Sequence, residues 1–384
     1  MPTEVPLWFV AAVVAPSLLT ALAAAYLVRR WAPRWGLVDA PGVRKVHVAP
    51  TPLGGGLAIW LAVVLPFAVG QVVLWLAAAG LVPGEWLPAE ARPHVGGLLQ
   101  RTPQLWSLLG AGTVLMFLGL ADDRWGLGWK VRLAVQFGVA AACVSLQDWR
   151  LTAFLHWPLL TWLLSVLWIV ALINSFNMLD NMDALSAGVA AIAAGLLAAV
   201  LLTTPAPDTR QPQLFVGGFL LVLVGALVGF LWHNRPVAKL FMGDAGSYFV
   251  GFCLGICTLQ ATFAGYESTS QHTVLAPLCV LAVPLYDLTT VLWIRVREGR
   301  SPFQADKSHF SHRLVELGLS KGQAVLTIYL TTATCGLGAL LLYRVDRTGA
   351  AIIMLMILCV LSLIAILETT GRRNLFDSDR EGRK

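Results

Sequence analysis

Residues 174–183 read NSFNMLDNMD, and this short polar stretch decides how the rest of the chain is read. It follows an apolar run over 159–173 and leads into another over 184–202. Its carboxylates therefore stand at the ends of apolar segments, where charge is costly and usually functional. Asn177, Asp180 and Asp183 recur every three residues. Positions three apart share one face of a helix or helix-like turn, so the spacing predicts that these groups converge.

Composition sets the class. The chain has 384 residues, of which 57% are hydrophobic and 12% charged, with a mean hydropathy of +0.73. That balance, with repeated apolar runs near helical spanning length, excludes a soluble multidomain protein and predicts a polytopic membrane protein. Only helices or a closed barrel satisfy the backbone inside a bilayer. The runs are continuous rather than alternating, so the expected fold is all-α. We expect about eleven transmembrane helices, near 7–28, 53–79, 104–121, 131–146, 159–176, 184–202, 214–232, 245–264, 273–294, 322–343 and 349–367. Pro284 is expected to kink the ninth. The expected organisation is one integral-membrane domain over 1–384, with its motifs between about 37 and 319 and a tail at 369–384. The first run carries Glu4 before it in place of a basic segment, unlike a cleaved signal peptide. The six cysteines all lie in apolar runs without a CxxC pattern, which reads as small core hydrophobes.

Charge gives the orientation. With eleven spans, 21 of the 27 Lys and Arg residues fall on the side of the first loop and 6 on the other. The excess marks the first side as cytoplasmic, with the N-terminus outside and the C-terminus inside. The net charge of +6 is thus a topology signal and gives no reason to invoke nucleic acid. The polar clusters at 39–52, 122–132, 174–183, 233–247 and 301–313 all fall on that same side. A transporter would be expected to hold polar groups near the bilayer midplane. Gathering them at one face suits an enzyme that takes one substrate from the cytosol and another from the membrane.

Each cluster has its own chemistry. Asp122 and Asp123 end a run as LADDRWG; adjacent carboxylates repel, which raises one pKa unless a cation intervenes. The stretch 241–247, FMGDAGS, opens a run. Its glycines admit a close ligand, its helix N-terminus favours an anion such as phosphate, and Asp244 is a hard oxygen donor for Mg²⁺. Residues 301–313, SPFQADKSHFSHR, put Lys307, His309, His312 and Arg313 together, a phosphate-facing basic patch or a solvated loop. Residues 39–52 carry Arg44, Lys45 and His47 beside a turn, and a plain surface loop is the default reading there.

Together these parts resemble the polyprenyl-phosphate N-acetylhexosamine-1-phosphate transferases of glycosyltransferase family 4. These are the membrane enzymes that begin bacterial cell-wall and surface-polysaccharide lipid intermediates. The resemblance rests on Asp122-Asp123 with Lys130 and Gln136 downstream, 174–183, 241–247, Asp287 in PLYDLTTV, and the histidine loop at 301–314. The stretch VDAPGVRKVHVAPTPLGGG at 38–56 looks like the UDP-N-acetylhexosamine branch (the WecA/TagO type) and less like the related phospho-MurNAc-pentapeptide translocases.

The resemblance implies transfer of an N-acetylhexosamine-1-phosphate, foremost GlcNAc-1-phosphate, from a UDP-sugar to undecaprenyl phosphate, with release of UMP. It implies Mg²⁺ as cofactor, with Mn²⁺ as a substitute, and Asn177 and Asp244 as the metal residues. Asp122, Asp123 and Asp180 are the implied catalytic acids. Lys130, Asp183 and Phe241 fall on the uridine side, while Lys45, His309, His312 and Arg313 complete the substrate contacts. A homodimer in the bacterial inner membrane is also implied. Direct displacement and an aspartyl-phosphate route both remain open from sequence. Three positions depart from the family pattern. Asn181 and Ala184 stand where glycine is common, and Ser311 stands where a histidine is common. The alternative class is a membrane transporter or an inactive scaffold of the same fold.

Overall fold

The computed structural model describes residues 5–39, 50–81, 92, 95–147, 149–151, 155–207, 209–264, 270–303 and 308–381, with the backbone alone from 370 onward. Lys45 and Lys307 lie outside the described residues. The chain is almost entirely helical: α1 (Leu7–Trp31), α2 (Gly55–Ala78), α3 (Val95–Gln100), α4 (Thr102–Trp125), α5 (Trp129–Leu146), α6 (Pro158–Leu179) and α7 (Leu185–Thr203) are followed by α8 (Leu214–Asn234), α9 (Gly243–Gln260), α10 (Ala276–Val280), α11 (Ala282–Arg297), α12 (Phe310–Glu316), α13 (Lys321–Leu342) and α14 (Arg347–Glu381). Two-residue strands β1 (Val38–Asp39) and β2 (Thr51–Pro52) pair antiparallel.

The helix boundaries follow from local chemistry. Apolar surroundings force each long run to satisfy its own backbone. Pro158 sits at the start of α6, where its missing N–H costs nothing. Gly126 ends α4 in the left-handed region, φ 66°. Ser320 and Gln323 form a reciprocal capping box at the start of α13.

Among the described residues, nine helices are long and apolar enough to cross a membrane, or ten when the bent pair 271–280 and α11 is counted as one span. The expected eleven differs from this count by α9. That helix forms where a span was expected, yet it is not among the nine. Its composition has a physical reason. Every residue from 245 to 258 is buried, so protein surrounds it and it needs no lipid-facing apolar surface. It packs on α2, α4 and α6. Glycines allow that approach: a Cβ on Gly56 would lie 2.1 Å from the backbone of Gly246, and one on Gly119 2.4 Å from the backbone of Asp244 and Ala245.

The bend expected from Pro284 is present. The helix breaks at Leu281 with an angle of 66°. Pro284 has no N–H to give to the carbonyl of Val280, which is where the turn fails. The helices also share a direction. α4, α6 and α8 end, and α5, α7 and α9 begin, at the end of the bundle that holds Asp122, Asp180 and Asp244.

Candidate active site

The site is assembled around the first turn of α9. Asp123, at the end of α4, accepts from the N–H of Asp244 (2.9 Å) and of Ala245 (3.2 Å). It therefore caps α9 from a different helix, satisfying two of the N–H groups that every helix start leaves open. Gly243 makes this possible: its φ is +70°, and a Cβ there would fall 2.5 Å from the Asp123 carboxylate. From the third side, Asn177 near the end of α6 donates to Asp244 Oδ1 (2.6 Å) and to Ser247 (3.1 Å).

Asp122 points to other partners. Its carboxylate accepts from the N–H of Leu127 (2.6 Å), from Arg132 on α5 (2.7 Å) and from Tyr248 on α9 (3.2 Å). Arg132 also stands 3.6 Å from Asp244. This arginine bridges two carboxylates, and the sequence reading assigned it no role. Its partners lie ten residues back across a turn and on a distant helix, so no short motif marks it. Tyr248 was missed for the same reason.

The three-residue spacing of Asn177, Asp180 and Asp183 resolves into a helix end and a turn. α6 stops at Leu179, and Asp180 leaves helical geometry with ψ 53°. Burial pushes the Asp180 carboxyl up to about 7; the charge of Asp123 adds to this, a hydrogen bond from the Gly243 N–H opposes it, and Asp183 adds again. Asp183 accepts from the N–H of Ala238 (2.9 Å) and so ties the turn to the segment before α9. Ala184 follows at φ 64°. It is held there by Asn234, which accepts from its N–H at 2.9 Å and donates to the Leu240 carbonyl at 2.9 Å. The left-handed backbone explains why glycine is the expected residue at this position.

The histidine segment approaches from a separate direction. Asp287 of α11 is fully buried. It accepts from the N–H of Phe310 (2.6 Å) and pairs with Nδ1 of His309 (3.0 Å). With Nδ1 taken by Asp287, Nε2 is left for another partner. His312 stands 6.3 Å from His309 between ring centres. Arg313 is placed differently from the expectation of a substrate contact. It is 3% exposed, and its guanidinium is taken up by Glu368 (2.9 Å), Thr290 (3.1 Å) and the Ser308 carbonyl. In this position it braces the segment from within. Phe241 is fixed through its backbone, donating to the Pro52 carbonyl and accepting from the Gly55 N–H, both at 2.9 Å. Lys130 is exposed and lies over the ring of Trp129, which stacks on Phe303 at 4.0 Å.

The site thus gathers Asp122, Asp123, Asp180 and Asp244 with one bridging guanidinium. Among the described residues no group of three or more His, Cys, Asp or Glu forms a ready-made metal cage. The donors still fit magnesium, which uses one or two carboxylates and takes its remaining ligands from phosphates and water. Asp244 and Asn177 are the hard oxygen donors set at an anion-favouring helix start. A cavity of about 560 Å³ lies elsewhere, lined by Arg101, Gln104, Trp149, Gln213 and Gln260 among others. Volume is a poor guide here, because the charged chemistry lies at the opposite ends of the same helices.

A multi-helix membrane bundle with carboxylates, histidines and a glycine-rich helix start at one end defines a class of membrane transferase. The glycosyl transferase family 4 model matches residues 105–262, which contain most of these groups. The chain is 32% identical to the probable undecaprenyl-phosphate N-acetylglucosaminyl 1-phosphate transferase of Bacillus subtilis, over 93% of this chain and 91% of that protein. It is 33% identical to the decaprenyl-phosphate N-acetylglucosaminephosphotransferase of Mycolicibacterium smegmatis, over 91% of this chain and 87% of that one. An undecaprenyl-phosphate alpha-N-acetylglucosaminyl 1-phosphate transferase from Yersinia pestis matches at 26% identity over 82% and 79%. The chain belongs to glycosyl transferase family 4, in its polyprenyl-phosphate N-acetylglucosamine-1-phosphate transferase branch.

Proposed function

We propose that the protein transfers N-acetylglucosamine-1-phosphate from UDP-N-acetylglucosamine to undecaprenyl phosphate, making undecaprenyl-diphosphate-N-acetylglucosamine and UMP. The observation that carries this reading is the α9 start. Asp123, Asn177 and Asp180 converge there from two other helix ends on Asp244 and its neighbours. That arrangement suits a diphosphate held by backbone N–H groups and an ion.

The bond changes are those of a displacement at phosphorus. An oxygen of the lipid phosphate attacks the β-phosphorus, and the bond from that phosphorus to the bridging oxygen breaks, so UMP leaves. Such transfers depend on positioning and charge neutralisation more than on covalent help. Asp244 and Asn177 hold Mg²⁺, which supplies neutralisation of the diphosphate charge when bound. Asp180, with a carboxyl near 7, is matched to a phosphate monoester whose second pKa is about 6. Asp122 and Asp123 orient the lipid phosphate, the first through Arg132 and the second through the α9 backbone. Asp183, Lys130 and Phe241 face the uridine side, and His309 and His312 the sugar diphosphate. Lys45, outside the described residues, is kept as a substrate contact on the sequence alone. The 21-to-6 bias in Lys and Arg supports eleven spans with this end at the cytoplasmic face of a bacterial inner membrane.

The test is transfer of labelled sugar-phosphate from UDP-N-acetylglucosamine to undecaprenyl phosphate in detergent, with Mg²⁺ and with EDTA. Mg²⁺-dependent lipid-linked product and equimolar UMP are expected. No product from any UDP-sugar would overturn the reading.

A further inference from the structure

The carboxylate turn and the histidine segment meet directly at one buried hydrogen bond. Ser311, in the first turn of α12, is fully buried and donates to Asn181 Oδ1 at 2.5 Å. The other end of that amide is also used: Asn181 Nδ2 donates to the Met178 carbonyl at 2.7 Å. That carbonyl is in the last turn of α6, among the acceptors a helix end leaves open. Asn181 therefore bridges the end of α6 to the start of α12, and neither end of its amide can turn without loss of a bond. It lies between Asp180 and Asp183. Ser311 lies between His309 and His312. Asp287 fixes His309 and Phe310 from α11, and the Asn181–Ser311 bond joins the segment to the carboxylate turn.

These two residues are also two of the three departures from the family pattern, and the departures fall on the same contact. A histidine at 311 would need space that the enclosed serine does not offer while Asn181 is present. A glycine at 181 would leave the buried Ser311 hydroxyl without an acceptor. Each change is poor alone and each removes the other's objection.

We propose that Asn181 and Ser311 are a matched pair of positioning residues that sets the histidine segment against the carboxylate turn, and so sets how the sugar diphosphate of the donor is held. The inference rests on the reading of this site as a UDP-sugar transfer centre. It places the pair's effect on donor binding, and not on the lipid acceptor.

The experiment is a double-variant cycle with the full-length protein in detergent: wild type, Asn181→Gly, Ser311→His and both together. Melting temperature, KM for UDP-N-acetylglucosamine, KM for undecaprenyl phosphate and kcat are measured for each. Each single variant is expected to raise donor KM about fivefold, the worth of one lost hydrogen bond, with acceptor KM unchanged. The double variant is expected to return to within about twofold of wild type, a coupling that independent sites do not show. Ser311→Ala, which removes the hydroxyl and adds no volume, separates loss of the bond from crowding, and it is expected to raise donor KM about fivefold with acceptor KM unchanged. Additive losses in both KM and melting temperature, or equal losses in donor and acceptor KM, would overturn the pair while leaving the transfer reading intact. A wild type that turns over no UDP-sugar, with melting temperatures that still show the coupling, would overturn the transfer reading and the donor role while leaving the structural pairing.

Discussion

The two ends of the same helices differ in chemistry. At one end α4, α6 and α9 present Asp122, Asp123, Asn177 and Asp244, with Arg132 as the bridging cation. At the other end α4, α8 and α9 present Gln104, Gln213 and Gln260 around a cavity, with Arg101 bonded to Gln104. Gln213 exchanges two hydrogen bonds with the backbone of Thr262 while remaining neutral. Such neutral pairing brings no like charges together. Carboxylates in the same crowding repel, and they persist only with a cation and oriented N–H groups. The comparison separates a neutral polar lining from a charged site.

The sharpest way to break this comparison is to remove one group from each end. Asp244→Asn is expected to lower turnover by about a thousandfold, the scale of losing a metal's charge stabilisation. Gln104→Leu is expected to leave turnover within about twofold, as a surface change away from the chemistry. Both are read by the transfer assay, with melting temperature as the control for folding.

Arg132→Met comes next. It leaves Asp122, whose side chain is 5% exposed, without its cation, and the arginine itself is partly solvated. A loss of about 2 kcal/mol in stability is expected, the scale of a charge-assisted bond, together with a fall in turnover. Denaturant unfolding in detergent and the transfer assay measure the two. Unchanged values for both would show that the bridge is incidental.

The pH dependence follows from Asp180. Its carboxyl has a value of 3.8 when unperturbed and about 7 in the fold. Between these values the folded protein keeps a proton that the unfolded chain has released. This group's contribution to stability is therefore fully present below pH 3.8 and is lost as pH rises through about 7. Melting temperature of the metal-free protein should fall across that window, and Asp180→Asn should flatten the slope. The smallest effect is at Ala184. Replacement by glycine relieves a left-handed alanine, φ 64°, and is expected to raise stability by about 1 kcal/mol, checked by the same unfolding measurement.

Much of this arrangement was legible in the sequence, for a definite reason. Long apolar runs fix the helices, and helices of bilayer length fix which polar stretches share an end. The carboxylates stood out because charge is rare in this chain. What could not be read was pairing across elements. Arg132 finds Asp122 across a turn and Tyr248 across the bundle, and Asp287 finds His309 over a break in the chain direction. Arg313 looked like one more cation of a basic loop, but its partner is Glu368, 55 residues later. The helix α9 shows the same limit from the apolar side. Its glycines, its single carboxylate and Gln260 weaken it as a membrane span, and its enclosure by neighbours explains why it needs no stronger apolar signal.

The account's central claim is that the carboxylate end works, and that it faces the cytoplasm. Sealed membrane vesicles of both orientations, given labelled UDP-N-acetylglucosamine that cannot cross the bilayer, test this directly. The account predicts lipid-linked product from inverted vesicles and none from right-side-out vesicles until they are opened with detergent. Product from intact right-side-out vesicles, with none from inverted ones, would contradict it.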